Sequence, residues 1–300
     1  MGQEPLKCTS AQARGFTLCQ VRRWSTRSAS SGIGRRPVPA KPRPRCLEQR
    51  AGFAPAGRLY PIPDDVQVTV VDAGGVPAYW LMAPGADPGR VLLFVHGGGY
   101  QLGSLRSYGE LAARLGRASR MRILFPEYRL APEHPFPAAF EDVLASWRWL
   151  RADQDLGAAS LAVAGDSAGG ELSVALLVAL RDTGEQLPSA TVLLSSEVDL
   201  TFSGASMTER ADQDPIFTPA VLRQLAASLA GLPPLLGQLG AAELLLSDAE
   251  HLAARAAQAR VDVIVQVGEG LPHVYQSQLG TPEAAEATEQ IGNFLRARLH

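Results

Sequence analysis

The sequence predicts an α/β fold: a mostly parallel sheet covered by helices on both faces, with an antiparallel hairpin on its N-terminal side. Three observations predict it. Short continuous apolar runs of strand length recur along the chain, as expected of strands buried on both faces. Segments of helical periodicity alternate with these runs, so successive strands are joined by crossover helices and run parallel. Ahead of them, two stretches alternate apolar and polar residues around Asp72-Ala73-Gly74-Gly75, the pattern of a hairpin with a tight turn.

The hairpin strands are expected at 66–72 and 76–82. Residues 91–95 read as a buried strand, 108–119 as a helix, 121–125 as a strand and 138–151 as a helix. A strand follows at 160–164, a helix at 172–181 and a strand at 190–194. Further on, helices are expected at 219–229, 246–259 and 282–299, with strands at 235–239 and 261–267. Sheets of this kind place their sites beyond the carboxyl ends of the strands.

Composition narrows the function classes. A 300-residue chain with 46% apolar content can bury a full core. Its net charge of −2 is unevenly spread: residues 1–50 hold 11 Lys and Arg against Glu4 and Glu48, which leaves 17 basic and 28 acidic groups beyond residue 50. A basic extension therefore precedes an acidic globule, and no nucleic-acid partner is expected. Both lysines, Lys7 and Lys41, lie in that extension, so the globule holds no Schiff-base lysine, Ser–Lys dyad or phosphate-loop lysine. Cys8, Cys19 and Cys46 also lie there, which removes a core disulfide and a cysteine nucleophile. No apolar run approaches the ~18 residues of a membrane span. Residues 1–60 are expected to be disordered or to form a poor cap, with the catalytic domain at 61–300. The extension has no apolar signal-peptide core, so a cytoplasmic location is expected. Its Arg- and Ser-rich, acid-poor composition also fits a mitochondrial transit peptide. A homodimer stays open.

Gly165-Asp166-Ser167-Ala168-Gly169-Gly170 lies between an expected strand and an expected helix. A G-x-S-x-G turn in that setting is strained. It needs small neighbours and lifts the Ser167 hydroxyl above the sheet edge as a nucleophile. The Ala168 amide, at a helix N-terminus, then faces a developing oxyanion. His96-Gly97-Gly98-Gly99-Tyr100 follows the strand at 91–95, and glycines let backbone amides approach a substrate oxygen without a Cβ clash. Gly97, Gly98, Gly99 and Ala168 are thus the candidate oxyanion donors.

The general base is reached by elimination among five histidines. His96 opens the glycine turn, His134 precedes the nucleophile, His251 sits in a helical stretch and His300 ends the chain. His273 follows the last expected strand, and the order Ser, acid, His suits this architecture. No HExxH or comparable ligand spacing occurs, so neither metal nor cofactor is expected.

The HGGG turn and Gly165–Gly170 are joined by Tyr128-Arg129-Leu130-Ala131-Pro132-Glu133-His134-Pro135. Together they resemble the hormone-sensitive-lipase family of carboxylesterases, known in bacteria as family IV esterases, which have the α/β-hydrolase fold. The resemblance covers roughly residues 64–300. It implies hydrolysis of short- to medium-chain acyl esters through a serine acyl-enzyme, with oxyanion donors at the positions of Gly98, Gly99 and Ala168. Asp199, in Ser195-Ser196-Glu197-Val198-Asp199, resembles a further family segment, which usually has proline in place of Ser196.

The chain departs from the family in three places. The turn that usually carries the triad aspartate reads Gly240-Ala241-Ala242-Glu243, with alanine where the aspartate is expected. Glu243 is the adjacent candidate, Asp248 lies a turn into the next helix, and the absence of any acid in reach is the third alternative. Only Ala230-Gly231-Leu232 stands where the family usually has a longer connection, and the first 60 residues show no amphipathic cap helix, which leaves a more open acyl pocket. Two classes therefore stand side by side: an ester hydrolase, or a catalytically impaired hydrolase-fold protein that binds a small ligand. The same triad acting on a lactone, thioester or amide is a further variant.

Overall fold

The computed structural model describes residues 20–24, 60–196, 229–243 and 259–299, and among them it contains one nine-stranded sheet. Its strands are β1 (Gln20–Trp24), β2 (Gln67–Asp72), β3 (Pro77–Met82), β4 (Asp87–Val95), β5 (Met121–Pro126), β6 (Leu161–Asp166), β7 (Ala190–Leu194), β8 (Leu235–Gly240) and β9 (Val263–Gly268). The helices among these residues are α1 (Leu105–Ser119), α2 (Ala138–Ala152), α3 (Ala168–Asp182) and α4 (Pro282–Arg296). Across the sheet the order is β1-β9-β8-β7-β6-β4-β5-β3-β2.

The expected hairpin forms. β2 and β3 pair antiparallel with Gln67 opposite Met82 and Asp72 opposite Pro77. The turn closes through the Ala73 amide to the Val76 carbonyl at 2.8 Å and the Gly75 amide to Asp72 Oδ1 at 2.6 Å. β3 continues antiparallel onto β5, and from β5 to β9 all pairs are parallel.

Alternation along β4 shows why helices cover both faces. Leu92 and Phe94 enter a core with Leu111 and Leu115 of α1 and Ile291 and Leu295 of α4. Val91, Leu93 and Val95 point the other way, into a core with Val143, Trp147 and Leu150 of α2 and Leu172, Leu176 and Leu180 of α3. Each fully buried aliphatic side chain contributes about 1.5–3 kcal/mol, so a one-residue slip of this strand would misplace both layers. α4 starts where its sequence directs: Thr281 Oγ1 accepts the Ala284 amide at 3.2 Å, and Pro282 takes the first helical position, where a missing amide proton costs nothing.

β4 begins at Asp87, four residues before the apolar run at 91–95, on exposed residues, and two further elements differ from expectation. α3 begins at Ala168, four residues before the periodicity at 172–181 starts. Gly169 and Gly170 hide the start because their helix propensity is poor, yet a Cβ on Gly169 would collide with the Val95 carbonyl, so close packing on β4 requires glycine. The other is β1, a strand inside the basic extension. It pairs parallel with β9, Gln20 opposite Ile264 and Trp24 opposite Gly268. Gln-Val-Arg-Arg-Trp shows no two-residue apolar period, so tertiary backbone pairing, not patterning, places it. The helices expected at 219–229 and 246–259 lie, except for their last residues, outside the described residues. Among the described residues no helix is long and apolar enough to cross a membrane.

Candidate active site

The carboxyl ends of β4, β6, β8 and β9 bring together the residues singled out in the sequence. Ser167 links β6 to α3 with φ 47° and ψ −123°, a region that side chains rarely adopt and that active-site turns retain because the surroundings over-determine it. Its amide donates to the Leu194 carbonyl at 2.9 Å. A Cβ on Gly165 would collide with the Gly169 carbonyl, so the sharp turn demands glycine two residues before the serine.

His273 Nε2 lies 3.1 Å from Ser167 Oγ. On its other side Nδ1 lies 2.6 Å from Glu243 Oε2. Donating the Nδ1 proton to the carboxylate leaves the lone pair on Nε2, where it accepts the serine hydroxyl. The Glu243 side chain is 2% exposed and that of His273 45%, so the acid is enclosed while the imidazole faces the approach to the site.

Glu243 overcomes the one-residue displacement because the turn after β8 is stitched to the loop that carries the histidine. The Ala241 amide bonds the Gly268 carbonyl at 2.8 Å, and that of Ala242 the Leu271 carbonyl at 3.1 Å. The remaining carboxylate oxygen, Glu243 Oε1, accepts the Gly240 amide at 2.8 Å. The extra methylene of glutamate thus spans the distance that a shift of one residue introduces. Asp199, Asp248, His251 and His300 lie outside the described residues. His134 is exposed in the loop before α2.

The glycine turn requires one correction. Gly97 does not offer its amide to the site: that group donates to Asp166 Oδ1 at 2.8 Å. Among the described residues no hydrogen bond engages the amides of Gly98, Gly99 or Ala168, and Ala168 opens α3, where the helix dipole favours negative charge. Gly98 and Gly99 have φ of 107° and 59°, conformations that glycine adopts without strain. Sequence reasoning missed Asp166 as the tie between the two halves of this cradle. The signal was a carboxylate at the end of a strand with every residue buried. Burial pushes its pKa up to about 7, while the bond from Gly97 pulls it back.

His96 anchors the turn. It is fully buried, stacks on Tyr128 at 4.2 Å and on Phe125 at 5.4 Å between ring centroids, and donates from Nδ1 to the Gly97 carbonyl at 2.8 Å. Burial lowers its pKa to about 4, so it is neutral and cannot act as a cationic donor at neutral pH. The Tyr128 hydroxyl donates to the His96 carbonyl at 2.7 Å, and Arg129 pairs with Asp142 of α2 at 2.8 Å. The segment from Tyr128 therefore braces the glycine turn from behind. Tyr100 adds a bond from its hydroxyl to Glu171 of α3. Among the described residues no three His, Cys, Asp or Glu side chains gather as a metal site.

A family model described as the alpha/beta hydrolase fold matches residues 92–277. An acetyl-hydrolase of Streptomyces hygroscopicus is 40% identical over 248 residues, which cover 76% of this chain and 82% of that protein. Among solved structures, an esterase from the bacterial hormone-sensitive lipase family is 40% identical with a TM-score of 0.76, covering 87% of this chain and 94% of the other. The esterase EstE5, in a crystal soaked with p-nitrophenyl butyrate, is 34% identical with a TM-score of 0.75, covering 88% and 94%.

Proposed function

This chain belongs to the bacterial hormone-sensitive-lipase family of α/β-hydrolase-fold esterases, and from that premise we propose that it hydrolyses short- to medium-chain acyl esters through an acyl-enzyme on Ser167. Residues 61–300 are taken to carry the catalytic machinery, with β1 of the basic extension added to the edge of their sheet. The observation that carries the reading is the hydrogen-bonded line from Ser167 through His273 to Glu243. Small acyl groups are supported by the acetyl-hydrolase relative and by the butyrate ester soaked into EstE5.

Ser167 Oγ attacks the carbonyl carbon while its proton passes to His273 Nε2. The carbonyl oxygen becomes an oxyanion, held by the amides of Gly98, Gly99 and Ala168, each donor being worth roughly 10²–10³ in rate. The Nε2 proton then goes to the departing alkoxide, and an alcohol leaves. Water attacks the acyl-serine with its proton taken by Nε2, and the carboxylic acid leaves as Ser167 recovers its proton. Glu243 fixes the tautomer and stabilises the imidazolium at both stages. The alternative of an impaired, ligand-binding protein rests on Ala242 and on the short connection Ala230-Gly231-Leu232, and the contact of Glu243 with His273 speaks against the first of these grounds.

The test is a series of p-nitrophenyl esters from acetate to palmitate, turned over by the native chain and by Ser167→Ala. Turnover of the acetate and butyrate that Ser167→Ala lacks is expected. Equal rates for the two proteins would reject the proposal, and a maximum at the palmitate would reject the acyl size.

A further inference from the structure

Two consecutive residues at the end of β7 touch the backbone of all three segments that carry the triad. The Leu194 carbonyl accepts the amide of Ser167 at 2.9 Å. The Ser195 amide donates to the Gln238 carbonyl at 2.7 Å, on the strand that leads into Glu243. Ser195 Oγ accepts the amide of Val274 at 2.9 Å, and Val274 directly follows His273.

The backbone at both ends of that last bond is unusual. Ser195 has φ 44° and Val274 φ 48°, and a β-branched residue at positive φ is rare. Such conformations persist only where neighbouring contacts hold them, and they cluster at functional sites. Ser195 is 1% exposed and Val274 9%, so their bond is shielded from competing water.

The geometry points to Ser195 as a positioning residue for the hydrolysis: its hydroxyl fixes Val274 in the left-handed turn that aims His273 at Ser167. The inference rests on the proposed triad. Without the hydroxyl, the Val274 amide loses its acceptor, the turn can relax toward negative φ, and the imidazole swings relative to the nucleophile. Misplacement on the order of 1 Å can lower a rate by about 100-fold. Ser195 touches no reacting atom, so binding of the substrate is left intact.

The experiment compares kcat, KM and melting temperature of Ser195→Gly and Ser195→Ala with those of the native chain on p-nitrophenyl butyrate. Glycine relieves the positive φ while removing the hydroxyl, so Ser195→Gly separates site geometry from fold stability. Its kcat is expected to fall by about 10- to 100-fold at unchanged KM, with a melting temperature above that of Ser195→Ala. Ser195→Ala should lose kcat to the same degree and melt lower. Native kcat in either folded variant overturns the inference, as does a loss confined to KM. Failure of both variants to fold also overturns it, by placing the hydroxyl in the core and not in the site. An inactive native chain would overturn the triad reading itself and this inference with it, whereas an active native chain and an equally active Ser195→Gly would overturn this inference alone.

Discussion

Glu243 holds two partners at once: Oε2 lies 2.6 Å from Nδ1 of His273, and Oε1 accepts the amide of Gly240 at 2.8 Å. The second bond fixes the carboxylate plane, so the first can select one tautomer of the imidazole.

Glu243→Gln tests that selection. An amide keeps the shape but can turn its NH₂ toward Nδ1, which moves the ring proton to Nε2 and leaves no acceptor for the Ser167 hydroxyl. Loss of the equivalent role in serine proteases lowers kcat about 10⁴-fold, and a loss of that order is expected here with p-nitrophenyl butyrate. Unchanged kcat would remove Glu243 from the mechanism.

Gly169→Ala tests the contact between the nucleophile turn and β4. The new Cβ would collide with the carbonyls of Val95 and His96, backbone atoms that cannot swing aside. Overpacking of this kind costs about 1–3 kcal/mol, and the His96 carbonyl opens the turn that bears Gly98 and Gly99. A lower melting temperature together with a lower kcat is expected. Gly157→Ala is the control, because Gly157 has φ −62° and open space around its Cβ position. It should be neutral or stabilise by up to about 1 kcal/mol. Equal melting temperatures for both variants would contradict the packing argument.

Stability against pH tests the two buried groups behind the glycine turn. The pKa of His96 falls from 6.5 to about 4 on burial, so between those values the unfolded chain binds the proton more tightly. Stability is then lost as pH drops through that window, by about 3 kcal/mol in full. Asp166 rises from 3.8 to about 7, so its folded form binds the proton more tightly. That stability is present at low pH and is lost as pH rises toward 7, by about 4 kcal/mol in full. The slopes oppose, so in urea unfolding these two groups together should leave the stability nearly flat from about pH 4 to 6.5. His96→Phe keeps the aromatic stack but removes one titration, so its stability should fall as pH rises through the same range. Parallel curves for the two proteins would contradict this assignment.

Local sequence determined much of this protein. Periods of two and 3.6 residues set the hairpin, the buried strands and the helices between them, because each records which side of an element meets the core. The Ser167 turn and the glycine turn were equally legible, since their backbone conformations restrict the residues that can occupy them. What only tertiary structure decided involves partners far apart in the chain. Whether the carboxylate at residue 243, the one at 248 or none reaches His273 stays open until the turn after β8 is bonded to the loop of His273. The amide of Gly97 looks available until Asp166, 69 residues away, takes it. β1 has no pattern of its own, and Ser195 is one serine among many until Val274 reaches it. Periodicity reports burial of a face, whereas a hydrogen bond between distant loops depends on where the packed layers bring each loop, which no short window of residues contains.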